Sequence, residues 1–90
     1  MKIIKRDGTI VDYNPEKIKI AIGKANTEVD EQDQASEEEI NKIIKYIEKL
    51  KKQRMLVEDI QDIIEKQLVE MNKYELSKEY MIYRYERELI

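Results

Sequence analysis

Ile3-Ile4-Lys5-Arg6-Asp7-Gly8-Thr9-Ile10-Val11-Asp12-Tyr13-Asn14-Pro15-Glu16-Lys17-Ile18 packs a short strand, a turn, a second strand and a helix start into few residues. Asp7-Gly8 between two β-rich runs is a strong hairpin signal, because a type I′ turn needs positive φ at both central residues. Pairing Arg6 with Thr9 across such a turn puts Lys5 opposite Ile10, Ile4 opposite Val11 and Ile3 opposite Asp12. Side chains alternate along a strand, so this register predicts Ile4, Val11 and Tyr13 on one face, and Ile3, Lys5, Ile10 and Asp12 on the other. Asn14-Pro15 then opens a helix: Asn is a leading N-cap, and Pro at the first helical position loses no hydrogen bond. Lys5, Arg6 and Lys17 are thereby gathered beside a helix N-terminus whose amides and dipole attract anions. Lys17 stands where a capping box would place Glu or Gln. Either Glu16 and solvent offset a small cost there, or an anion shares the place.

The chain has 90 residues, 41% charged and 41% hydrophobic, with two glycines and one proline. A chain of this length is a single domain that buries roughly 60–65% of its unfolded surface. Few breakers among many Glu, Lys and Ile residues predict a mostly helical fold. The formal net charge is -3, so no overall field favours nucleic acid. Cysteine and histidine are both absent, which removes disulfides, the usual zinc sites, thiol nucleophiles and a histidine base. No apolar run approaches the ~20 residues that span a bilayer, and no signal peptide precedes the hairpin, so the expected location is cytoplasmic.

Outward from the hairpin, Ile18, Ala21, Ile22 and Ala25 form the inward stripe of a first helix. Thr27 to Ala35 is polar and acidic and reads as a loop. Ser36-Glu37-Glu38-Glu39 is a capping box that starts a second helix, with Ile40, Ile43, Ile44, Ile47 and Leu50 inward. The basic run of Lys49, Lys51, Lys52 and Arg54 complements the helix dipole at its end. Met55-Leu56-Val57 adds an edge strand to the hairpin. A third helix follows from Glu58, poorly capped, with Ile60, Ile63, Ile64, Leu68 and Met71 inward, ending at Asn72-Lys73. In the fourth helix Leu76, Tyr80, Met81, Ile82, Tyr83 and Tyr85 nearly encircle the axis, which predicts cover from missing chain or a partner subunit. The element boundaries are strands at about 2–6, 9–13 and 55–57 and helices at about 15–26, 37–51, 58–72 and 75–89.

No glycine-rich phosphate loop is possible with two glycines, and nothing in the chain points to catalysis. Four segments, in order and with matching separations, resemble the ATP-cone. They are Lys5-Arg6-Asp7-Gly8, Asn14-x-x-Lys17-Ile18, Val57-Glu58-Asp59-Ile60-Gln61 and Glu79-Tyr80-Met81-Ile82-Tyr83-Arg84. The ATP-cone is the regulatory domain at the N-terminus of many ribonucleotide reductases, and the resemblance covers the whole chain. The third- and fourth-helix segments, together with Val11, look most like the anaerobic, glycyl-radical (class III) triphosphate reductases.

The resemblance implies an α+β, mostly helical domain, a four-helix bundle capped by a small three-stranded β-sheet. An adenine nucleotide, ATP or dATP, is then held between cap and helices, with Mg2+ riding on its phosphates. ATP permits activity of the parent enzyme and dATP shuts it down by changing quaternary assembly. Carried over by position, the nucleotide contacts fall on Ile3, Lys5, Arg6, Asn14, Lys17 and Arg87. Val57 and Gln61 stand where aerobic members hold Thr and His that line the site, and Arg84 would serve a second nucleotide. From the residues themselves, Tyr80 or Tyr83 is a candidate to pack against the base, with a buried core role the expectation for at least one of them. The partner would be the remainder of the reductase chain or a neighbouring subunit, met through the fourth helix, with no membrane and no direct nucleic acid. Two other readings share the pattern: the cone of a transcriptional repressor of reductase genes, and a helical interaction module without nucleotide.

Overall fold

The computed structural model describes residues 1–89, with side chains through Arg87. The described chain runs β1 (Lys2–Ile4), β2 (Ile10–Asp12), α1 (Pro15–Asn26), a 3-10 turn (Glu31–Asp33), α2 (Glu37–Lys49), β3 (Arg54–Leu56), α3 (Val57–Glu70) and α4 (Tyr74–Leu89). The fold is α+β and mostly helical, a small three-stranded sheet set on four helices.

β1 is the central strand, antiparallel to β2 and parallel to β3. Its register corrects the sequence expectation by one residue. Ile3 faces Val11, Ile4 faces Ile10 and Lys2 faces Asp12. The turn has three residues between the closing pair, not two. The Lys5 amide donates to the Thr9 carbonyl at 2.8 Å, the Gly8 amide donates to the Lys5 carbonyl at 2.9 Å, and Gly8 alone takes positive φ, 87°. This is a type I turn followed by a left-handed glycine. Asp7 avoids the left-handed region, and its carboxylate instead accepts the Thr9 amide at 2.9 Å. Hydrogen bonding from Thr9, first its side chain and then this amide, lowers the Asp7 pKa. The strands are also shorter than the sequence suggests, because pairing stops where the turn begins.

The slip exchanges faces. Ile3 turns inward with Val11 and Met55, while Ile10 and Leu56 are exposed on the outer side. On the helices, Ile18, Ile22 and Ala25 of α1, Ile40, Ile43, Ile44 and Ile47 of α2, and Ile60, Ile64 and Leu68 of α3 fill the core at helical spacing. Leu50 departs from its expected stripe: it caps α2 and is exposed. Among the described side chains of α4, Leu76, Ser77 and Tyr80 are buried, and Met81, Ile82 and Tyr85 face solvent. The acidic loop is stapled by Asn26, whose side chain both donates to the Ala35 carbonyl (3.1 Å) and accepts its amide (3.0 Å). The capping box closes as read, with the Glu39 amide on Ser36 Oγ (3.1 Å) and the Ser36 amide on Glu39 Oε1 (2.9 Å). No helix of the described residues is long and apolar enough to cross a membrane.

Two helix ends use left-handed residues. Asn72 (φ 62°) closes α3 with its amide on the Val69 carbonyl and the Lys73 amide on the Leu68 carbonyl, a Schellman arrangement. Lys51 (φ 52°) does the same work after α2 without a tolerant side chain. Burial pushes the phenols of Tyr80 and Tyr13 well above the usual range, and the hydrogen bond to Glu48 adds to the effect on Tyr13.

Lys51→Gly should therefore stabilise the chain by about 0.5–1 kcal/mol, the steric relief exceeding the entropy that glycine loses; urea denaturation measures it, and Asn72→Gly should gain less. The two raised phenols set an alkaline limit. Below about pH 10 both states keep these protons, whereas above it the unfolded chain releases them first, so stability falls as pH rises. Between about pH 9 and about pH 11 the Tyr13→Phe/Tyr80→Phe chain should lose a smaller share of its unfolding free energy than the wild type.

Candidate functional site

A cleft of about 160 Å³ opens where the inner face of the sheet meets the starts of α1 and α3. Its walls are Ile3 and Val11 from the sheet, Tyr13 and Ile18 around the start of α1, and Val57 and Ile60 from α3. Lys5, Asp12, Asn14 and Lys17 supply its polar lining. The corrected register explains the meeting of Lys5 with the apolar wall. Lys5 follows Ile3 by two residues and so shares its side of the strand. Lys17 arrives from the first turn of α1, and Val57 and Ile60 from adjacent positions on one face of α3.

The cleft is therefore an apolar slot with two ammonium groups at its edge. Lys5 and Lys17 are both exposed. Asp12 is paired with Lys2 across the strands, which lowers its pKa. Asn14 caps α1, its Oδ1 accepting the Glu16 amide at 3.0 Å. The helix N-terminus does not deliver the free amides that the sequence suggested. Pro15 has none, Glu16 gives its own to Asn14 Oδ1, and Lys17 gives its own to the Asn14 carbonyl at 3.1 Å. What remains for an anion is the dipole, the Asn14 amide group and the lysines.

Of the residues singled out from sequence, Ile3, Lys5, Asn14, Lys17 and Val57 are brought together here. Arg6, Gln61, Arg84 and Arg87 are not in this lining. Arg6 Nε pairs with Glu58 Oε1 at 3.3 Å and faces a separate depression of about 360 Å³ with Asp62, Glu65, Met81, Arg84 and Tyr85. Arg84 Nη1 is gripped by Asp62 Oδ1 (2.8 Å) and Glu65 Oε2 (2.5 Å). Burial opposes its charge, but those two carboxylates outweigh burial and raise its pKa. Gln61 follows Val57 by one turn, and its Oε1 is buried without a hydrogen-bond partner among the described residues. The Arg87 guanidinium lies 5.6 Å from the ring centroid of Tyr83, a cation–π contact. Tyr83 lines a third depression with Lys24 and Glu28, and Tyr80 is buried in the core, so neither ring reaches the cleft.

Sequence reasoning missed Val11, Asp12, Tyr13, Ile18 and Ile60 as lining. The alternation of β2 would have found Val11 and Tyr13 once Ile3 was placed inward, and the spacing from Val57 would have found Ile60.

A family model described as the ATP cone domain matches residues 1–89. Among curated relatives, the ribonucleoside-diphosphate reductase alpha subunit of Chlamydia trachomatis is 36% identical over 93% of this chain and 9% of its own length. That of Chlamydia muridarum is 37% identical over 93% and 9%. The vitamin B12-dependent ribonucleoside-diphosphate reductase of Thermoplasma acidophilum is 34% identical over 99% and 12%. The chain thus spans a small part of the length of these relatives, and the match over residues 1–89 means that it belongs to the ATP-cone family.

Proposed function

We propose that the chain is an allosteric adenine-nucleotide module, binding ATP or dATP to control the overall activity of a ribonucleotide reductase. The observation that carries the reading is the meeting of an apolar slot with Lys5 and Lys17 at one cleft. A flat base gains by leaving water for the slot formed by Ile3, Val11, Tyr13, Ile18, Val57 and Ile60. The phosphates then lie at the lysines, which act as point charges, and the dipole of α1 adds to them. Arg6 faces the neighbouring depression, paired with Glu58, and would have to turn from it to join the phosphates. Mg2+ would travel with the phosphates.

A nucleotide shifts its parent enzyme only by binding one assembly better than another. The exposed Tyr74, Met81, Ile82 and Tyr85 of α4 are the surface we assign to the rest of the reductase chain or a neighbouring subunit. Val11 and the α3 and α4 segments favour an anaerobic triphosphate reductase as parent. The compared relatives bear diphosphate-reductase names, so the branch is the finer part of the proposal.

Calorimetry of the chain with ATP, dATP and adenosine tests it. ATP should bind tighter than about 1 mM, equivalent to ~4 kcal/mol. Lys5→Ala and Lys17→Ala should each weaken ATP by about tenfold or more, with adenosine little changed. Absence of binding favours the plain interaction module, and equal losses for ATP and adenosine contradict the phosphate role.

A further inference from the structure

Tyr13 stands where three parts of the molecule meet. Its ring lines the cleft, its amide donates to the Met1 carbonyl at 3.0 Å, and its hydroxyl donates to Glu48 Oε2 at 2.9 Å in the last turn of α2. Glu48 also governs the exit from α2, because its carbonyl accepts the Lys51 amide at 3.2 Å where Lys51 holds its left-handed φ of 52°. Two residues on, the Gln53 carbonyl accepts the Lys2 amide at 2.8 Å, at the start of β1. The connection from Leu50 to Gln53 is exposed throughout. It is fastened at one end to the residue that Tyr13 holds and at the other to the strand that carries Ile3.

We propose that Tyr13 is a positioning residue that couples occupancy of the cleft to order in the connection between α2 and β3. The inference rests on the nucleotide reading above. A flat base in the cleft packs against the Tyr13 ring and restricts it to the orientation in which the hydroxyl reaches Glu48. With the cleft empty, every excursion of the half-buried ring releases Glu48 and loosens the turn that its carbonyl holds. Occupancy raises the population of the tethered state, and by reciprocity the tether raises ligand affinity by the same factor. One hydrogen bond to a carboxylate suffices to bias an exposed, strained turn, though not the packed core. A tyrosine phenol is protonated across the physiological range, and burial with Glu48 raises its pKa further, so Tyr13 remains a donor there.

Hydrogen exchange on the 90-residue chain, with and without saturating ATP, reads this coupling at the Leu50 and Lys51 amides. In the wild type ATP should slow both by about fivefold or more. Tyr13→Phe keeps the ring and, at ATP concentrations that calorimetry shows to saturate the variant, should lose the slowing. Glu48→Ala, a change at an exposed helical position, should lose it likewise. Slowing that persists in both variants overturns the coupling and leaves the nucleotide reading intact. That outcome, with both variants destabilised, is what a merely structural Tyr13 would give. A wild-type chain that binds no ATP by calorimetry overturns the nucleotide reading and this inference with it.

Discussion

Ile3, set between Val11 on one side and Met55 on the other, is the contact on which the remaining architecture depends. Each strand has three residues, too few for a sheet of this size to be stable in water without helices beneath it. The sheet exists because Ile3 and Met55, with Val11 partly buried beside them, join the cluster that holds Ile18 and Ile60. Strand alternation then leaves no freedom. With Ile3 inward, Lys5 must share its side, and Ile10 and Leu56 must face out. A slip of one residue would reverse every one of these placements. The lysine at the mouth of the cleft and the isoleucine in the core are two consequences of one register.

The same constraint limits how the cleft can select a ligand. Its apolar walls reward any planar base, and its lysines reward any polyphosphate. Few polar groups are left for finer discrimination: Asp12 is paired with Lys2, and Asn14 spends its Oδ1 on capping α1, which leaves its side-chain NH2. ATP and dATP differ by one hydroxyl, whose direct contact with an exposed rim is worth little. Discrimination in such a site therefore depends on where the base and ribose settle against Tyr13 and α3, and on which surrounding arrangement that placement favours.

Much of this was legible from the residues. The capping box at Ser36, the helical stripes and the left-handed Asn72 follow from local chemistry, and Lys5, Asn14 and Lys17 line one cleft with Val57 and Ile3, though without Arg6. The hairpin register was not legible, because Asp7-Gly8 suits both a two-residue turn and a three-residue turn closed by a left-handed glycine. The choice falls to the packing of Ile3, a long-range effect. The resemblance offers Arg84 to a second nucleotide, and nothing local reveals that Asp62 and Glu65, more than a dozen positions earlier, come round to pair with it. The promise of free amides at α1 failed for a local reason: an Asn cap beside a Pro leaves the first turn little to give.

The central claim is that an adenine nucleotide occupies the cleft between the sheet and the starts of α1 and α3. Backbone amide chemical shifts recorded during an ATP titration locate the ligand directly. The account predicts that the largest changes fall on Ile3 to Lys5, Val11 to Ile18 and Val57 to Ile60, and that they saturate together. Changes centred on Asp62, Glu65, Met81 and Tyr85, with the cleft residues unmoved, would contradict it.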